Sequence, residues 1–343
     1  MKKTLVALAI LAASGASFAQ ATITGTYAFG YASQTGGGAA ASAGLGTDTS
    51  DINFAASEDI GGGLSASAKM GISGAHRGNA VVGNTATVGI KNASFGVTLG
   101  TIESTNGLLA IGSSGAAGFG MDGKAISGSS NIDILSLAFP VTSAFTLGLS
   151  YVDRGAQGVA LDATNAIPKS ASSGTGLGLG TTGNAGAQPS ITLGGTYAAG
   201  ALTAKLDATS WSRVDDAGVT QPATGYNKNR FRISGAYDMG VARFSAGYMN
   251  LSAALNTVGV TATETLVGVK VPMGAVTFGL DYATSTTTGL QDTSGYSLGV
   301  GYDLSKRTNI GMSVASWKAQ GGAAAAAATE NTNAFRVLVA HSF

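Results

Sequence analysis

Cysteine is absent from the 343 residues, proline occurs five times, histidine and tryptophan twice each, and only 11% of the residues are charged. Each scarcity removes a class of protein. Without cysteine there is no disulfide framework and no thiol nucleophile, and two histidines, His76 and His341, make no zinc site. The charged share is less than half of the ~25% usual in soluble domains, too little to cover a globular surface of this size. Disorder is excluded from the other side, because disordered chains are poor in hydrophobic residues and high in net charge, whereas this one is 44% hydrophobic with a net charge of +1. A near-neutral balance without a basic stripe speaks against a nucleic-acid partner. Long apolar runs are also missing: the longest, Leu5 to Ala13, has nine residues, half of what a membrane-spanning helix needs.

That short run has a different use. Lys2 and Lys3 precede it and Ser17-Phe18-Ala19 follows it, the small-x-small pattern of a signal-peptidase site, so residues 1–19 read as a signal peptide and 20–343 as the exported domain. What the exported part has in abundance is glycine, 53 residues, about twice the usual share, together with alternation. From Thr22 to Tyr31, Ile23, Tyr27, Phe29 and Tyr31 share one face while Thr22, Thr24 and Thr26 share the other. The same period of two recurs at about 50–58, 64–72, 82–91, 95–101, 131–139, 144–153, 190–198, 201–212, 229–238, 241–251, 262–271, 275–284, 293–302, 308–318 and 332–343. These lengths suit strands that cross a bilayer at a tilt.

The connections alternate between tight turns, such as Asn92-Ala93-Ser94 and Ala199-Gly200, and long polar segments, at about 32–49, 73–81, 102–130, 154–189, 213–228, 252–261, 285–292 and 319–331. Short turns at one end, long loops at the other and an even strand number describe an all-β, 16-stranded antiparallel transmembrane barrel, closed so that no edge meets lipid. Aromatic residues on the apolar face suit the two interfacial girdles. A soluble sandwich would have shorter strands without this alternation, and a β-solenoid would show a fixed short repeat.

If the apolar face meets lipid, the other face meets a lumen too wide for side chains to fill. Lys69, Lys205, Asp207, Arg230, Arg232, Arg243, Glu264, Lys270, Asp281 and Arg336 lie off the apolar stripe of their strands and are expected to line the water. The 102–130 segment, rich in Gly, Ala and Ser and carrying Glu103, Asp122 and Lys124, is expected to fold inward and narrow the pore. Nothing marks a Ser-His-Asp arrangement, and neither catalysis nor a cofactor or metal is expected. A substrate-specific channel, for example for sugars, would need an aromatic slide in the lumen; Trp211 and Trp317 are the residues that keep this alternative open. A non-conducting adhesive barrel is the more distant alternative.

Four stretches resemble a known family. Ser57-Glu58-Asp59-Ile60-Gly61-Gly62-Gly63-Leu64-Ser65-Ala66 is similar to a turn of the Gram-negative general porins, Asn92 to Gly100 to the strand entering their constriction loop, and Gly301 to Thr308 to a turn near their C-terminus. The terminal Phe335 to Phe343 resembles their last strand. The resemblance implies a homotrimer of diffusion channels for small hydrophilic solutes and ions in outer-membrane lipid, with Phe343 read by the outer-membrane assembly machinery. It also implies that 102–130 is the constriction loop, with Glu103 and Asp122 as its carboxylates. The chain departs from the family where Gly100 is followed by Thr101 instead of arginine, and where the first strands offer few basic groups beyond Lys69 and Arg77, so a weak transverse field is expected.

Overall fold

The computed structural model describes residues 20–37, 41–74, 81–104, 106–128, 130–155, 189–212, 226–255, 258–288, 292–318 and 331–343. The expected signal segment 1–19 and Arg77 lie outside the described residues.

Sixteen strands form one closed antiparallel barrel in which every strand pairs with its sequence neighbours and the last with the first. They are β1 (Gln20–Gly36), β2 (Ser42–Gly61), β3 (Leu64–Ser73), β4 (Val82–Lys91), β5 (Gly96–Ser104), β6 (Ser130–Pro140), β7 (Phe145–Gly155) and β8 (Ser190–Ala199). The second half comprises β9 (Leu202–Trp211), β10 (Tyr226–Asp238), β11 (Arg243–Leu255), β12 (Val258–Met273), β13 (Val276–Thr287), β14 (Thr293–Asp303), β15 (Thr308–Trp317) and β16 (Thr332–Ser342). The only helix among the described residues is one turn, α1 (Leu109–Gly112), in the connection between β5 and β6.

All sixteen expected strands are present, but several run further than the alternation suggested. β1 continues to Gly36 and β2 begins at Ser42, so most of the expected 32–49 loop is paired strand, and β11 and β12 likewise consume most of 252–261. Lipid contact alone enforces the apolar alternation, whereas backbone pairing continues for as long as the two strands find each other. The pattern therefore marks the membrane-level part of a strand and not its end.

The two faces are chemically opposite to those of a soluble protein. Ile23, Tyr27, Phe29, Val88, Ile191, Ile233, Phe278 and Val339 are all exposed on the outside of the barrel, as lipid requires. The buried hydrophobic cluster sits inside. Leu108, Met121, Ala125 and Ile126 of the β5–β6 connection pack against Met249, Leu251, Leu266, Ala283, Ala315 and Trp317 of the wall. Each large apolar side chain enclosed in this way contributes about 2 kcal/mol.

The seam closes over Thr26↔Ser342 through Gly36↔Thr332. The Gly25 amide donates to the Phe343 carbonyl and the Phe343 amide to the Gly25 carbonyl, each at 3.1 Å.

Candidate functional site: a loop-narrowed lumen

The β5–β6 connection leaves the wall at Ser104, crosses the lumen and is fastened to the far side, β10 to β16. Its backbone donors find acidic acceptors there. Glu264 on β12, 2% exposed, accepts from the Ser127 amide at 2.7 Å, the Asn106 Nδ2 at 2.8 Å and the Ser127 hydroxyl at 3.1 Å. One carboxylate thus ties down both ends of the loop. Asp281 on β13 accepts from the Ser114 amide at 2.6 Å. Where the loop offers carbonyls the wall offers donors: Arg243 reaches the Ser113 and Ile111 carbonyls at 2.8 and 3.1 Å, Ser297 the Ala117 carbonyl at 2.7 Å and Thr293 the Ala125 carbonyl at 2.8 Å. The bonds to Glu264 and Asp281 and from Arg243 are charge-assisted, the stronger kind.

Contact this close requires that the wall lack side chains beneath the loop. A Cβ placed on Gly279 would lie 2.2 Å from the Ala116 carbonyl carbon, and backbone cannot step aside. Between the loop and β12 to β16 a recess of about 500 Å³ is lined by Ser113, Lys270, Asp281, Asp303, Asn309 and Arg336.

The expected lumen residues separate into three groups. Lys205, Asp207, Arg230 and Arg232 come together on neighbouring rungs of β9 and β10, with the Arg232 Nε 2.9 Å from Asp207 Oδ1. A second group holds the loop: Arg243 as above, and Arg336, whose guanidinium engages Asp48 and the Gly118 carbonyl, donates to the Ser313 hydroxyl at 3.2 Å and lies 4.5 Å from the Phe119 ring centre. Within the loop, half-buried Lys124 lies 5.8 Å from the Trp317 ring centre. Its burial pulls its pKa below the ordinary lysine value, opposed by nearby Asp122. Lys69 stands apart on β3, with Thr22, Ala55, Ser57 and Ser67 around it.

Glu103 is placed otherwise than expected. Strand β5 continues to Ser104 with Leu99↔Leu135, Thr101↔Asp133 and Glu103↔Asn131 in unbroken register, which gives Glu103 the outward parity of Leu99, and it is exposed. The strand outlasts the position at which the loop was expected to begin, so this carboxylate does not enter the constriction.

Glu264 and Asp281 were legible as lumen residues from parity, but not as anchors: the donors that they satisfy come from a loop with no period. The same holds for the tryptophans. Trp211 and Trp317 do face inward, yet Arg230 lies 5.2 Å from the Trp211 ring centre and Lys124 covers Trp317, so cations occupy the faces on which a sugar would stack.

The two halves of the wall differ. On β1 to β8 the lumenal positions are mostly Ser, Thr, Gly and Ala, as in Thr22, Thr24, Ser67, Thr87, Ser136, Ser150 and Thr192, with Asp48, Asp51, Asn53 and Lys69 as the polar exceptions on β2 and β3. On β9 to β16 Lys205, Arg230, Arg232, Arg243, Lys270 and Arg336 share the inward face with Asp207, Glu264, Asp281 and, near the turns, Asp238 and Asp303. The cations outnumber the carboxylates, and two of those carboxylates are covered by the loop.

Comparison with known proteins agrees with this architecture. An anion-selective porin from Comamonas acidovorans superposes with a TM-score of 0.69 at 18% identity, covering 95% of this chain and all of the other. The trimer form of OmpT from Vibrio cholerae gives 0.65 at 13% identity, over 95% and 99%, and a triple mutant of the Rhodopseudomonas blastica porin 0.57 at 15%, over 94% and 100%. At such identities the likeness is one of fold. No curated protein sequence matches. The family described as Gram-negative porin matches residues 4–322; the chain therefore belongs to the Gram-negative porins and is a diffusion channel of the outer membrane.

Proposed function

We propose that this porin passes small hydrophilic solutes and ions passively, with a preference for anions, and that it works as a homotrimer from which residues 1–19 have been cleaved. The observation that carries the anion preference is the cluster of Lys205, Arg230 and Arg232 on β9 and β10, in which only Arg232 is paired directly with a carboxylate, Asp207. Charge along the wall at a constriction biases which ion enters. The structural relative from Comamonas acidovorans is described as anion-selective and that from Vibrio cholerae as a trimer form, which supports both readings. A planar bilayer under a KCl gradient tests the preference: the reversal potential should take the sign set by chloride, and a cation-signed potential overturns it. Conductance steps grouped in threes, and trimer-sized migration of unheated protein in electrophoresis, are expected for the homotrimer. Sequencing of the exported protein should begin at Gln20.

A further inference from the structure

The lumenal face of β9 and β10 carries more positive charge than the fold itself uses. Asp207 pairs with Arg232, Thr209 with Arg230 and Lys205 with Ser234 across the two strands. Lys205, Arg232 and Arg230 therefore climb the wall in steps of two residues, about 7 Å each. Arg232 engages Asp207 through Nε alone, at 2.9 and 3.2 Å to the two oxygens. Its outer nitrogens have no hydrogen-bond partner among the described residues and lie against the loop: a Cβ on Gly107 would lie 2.1 Å from Arg232 Nη1. The middle step is thus at the level at which the loop enters the lumen.

Above it, Arg230 gives one bond, Nη2 to the Thr209 hydroxyl at 3.1 Å, and rests on Trp211. Its Nε is buried and has no acceptor among the described residues. Below it, no hydrogen bond or ion pair holds the Lys205 amine among the described residues. Asp207 is thus the only carboxylate bonded to the three cations among the described residues, with Glu264 two strands away on the Arg232 rung and tied to the loop. Enclosed charge without a partner is costly, and a buried donor without an acceptor calls for a missing group. An anion supplies that group, and one with several oxygens can meet donors on more than one step.

We propose that Lys205, Arg232 and Arg230 form a stepped binding subsite for a small oxyanion, a phosphate or sulfate group, at the constriction. The guanidinium forks offer directed, charge-assisted donors to a tetrahedral oxyanion, and Trp211 fixes one of them. Arg230 receives the anion from the loop end of the barrel, Arg232 holds it beside Gly107, and Lys205 draws it past the loop. The inference deepens the anion-conducting reading and rests on it.

Inorganic phosphate is the probe, and Trp211 beneath Arg230 is the reporter, one of only two tryptophans. Phosphate titrated into folded, detergent-solubilised protein should change tryptophan emission saturably, and the change should vanish in Trp211→Phe. In bilayers the same phosphate should reduce the chloride current with the same midpoint. Lys205→Gln and Arg230→Gln should each weaken both responses by roughly tenfold, the loss of one charge-assisted bond. Lys306→Gln, which removes a charge from an exposed turn, should leave them as they are. Heat-modified electrophoretic migration checks the fold of every variant, and Arg230→Lys stands in if Arg230→Gln does not fold. Emission that does not respond in folded protein, or that responds equally in Lys205→Gln, overturns the subsite and leaves the pore intact. A saturable emission change in protein that conducts nothing would keep the subsite and overturn the pore.

Discussion

A single methyl group at position 279 tests how closely the loop is held. The Cβ of Gly279→Ala would meet the Ala116 carbonyl carbon at 2.2 Å and the Ala117 nitrogen at 2.5 Å, both backbone atoms, so the loop has to lift. Overpacking of this kind costs about 1–3 kcal/mol. The variant should unfold at a lower temperature in heat-modification electrophoresis and conduct in larger steps; unchanged values in both would mean that the loop does not rest there. Lys124 makes a second residue-scale prediction. Because burial lowers its pKa from the ordinary 10.5, the loop loses one positive charge before free lysines titrate. In the window between the lowered and the ordinary value the unfolded chain binds the extra proton, so stability rises with pH there. Anion preference should fall over the same window, and Lys124→Met, measured by reversal potential against pH, should remove that step.

The loop as an element hangs on carboxylates. Glu264→Ala would leave the buried Ser127 amide without its acceptor and take one of three acceptors from the Asn106 side chain, which keeps the Ser127 carbonyl and hydroxyl, at a cost of about 1–3 kcal/mol. Glu264→Gln would set an amide donor against one of those donors and should act in the same direction more weakly. Both should raise single-channel conductance and admit larger sugars in liposome swelling, with the alanine variant further along; unaltered size exclusion in the two would show that Asp281 and Arg243 suffice to hold the loop. The strands were legible because lipid on one side and water on the other impose a period of two on every residue between them: Ile23 and Tyr27 outward, Thr24 and Thr26 inward. The loop carries no such constraint. Its inward course follows from the reciprocal match of Ser114, Asn106 and Ser127 with Asp281 and Glu264, residues far apart in the chain that no local pattern links. Glu103 shows the same limit from the strand side, since its parity could be counted but the end of β5 could not.

At the scale of the whole barrel, β1 to β8 present mostly hydroxyls to the lumen and β9 to β16 most of its charges, with the loop fastened to the more charged half. Attaching the loop there satisfies Glu264 and Asp281 locally with backbone donors, while Arg336 is held by Asp48 of β2 and the cations of β9 and β10 share Asp207. The densest positive charge is then at β9 and β10, so that an ion crossing the other half of the lumen is steered from a distance and not gripped. Steering of this kind depends on salt, because the screening length shrinks from about 10 Å at 0.1 M to about 3 Å at 1 M. Chloride preference measured by reversal potential should therefore fade strongly between these concentrations, while any saturable effect of phosphate, which rests on direct contact with Arg230 and Arg232, should survive. A chloride preference that persisted at the higher concentration would place its origin in contact or pore width instead of the long-range field. The charged wall would then act only where an ion touches it, at the rungs of β9 and β10.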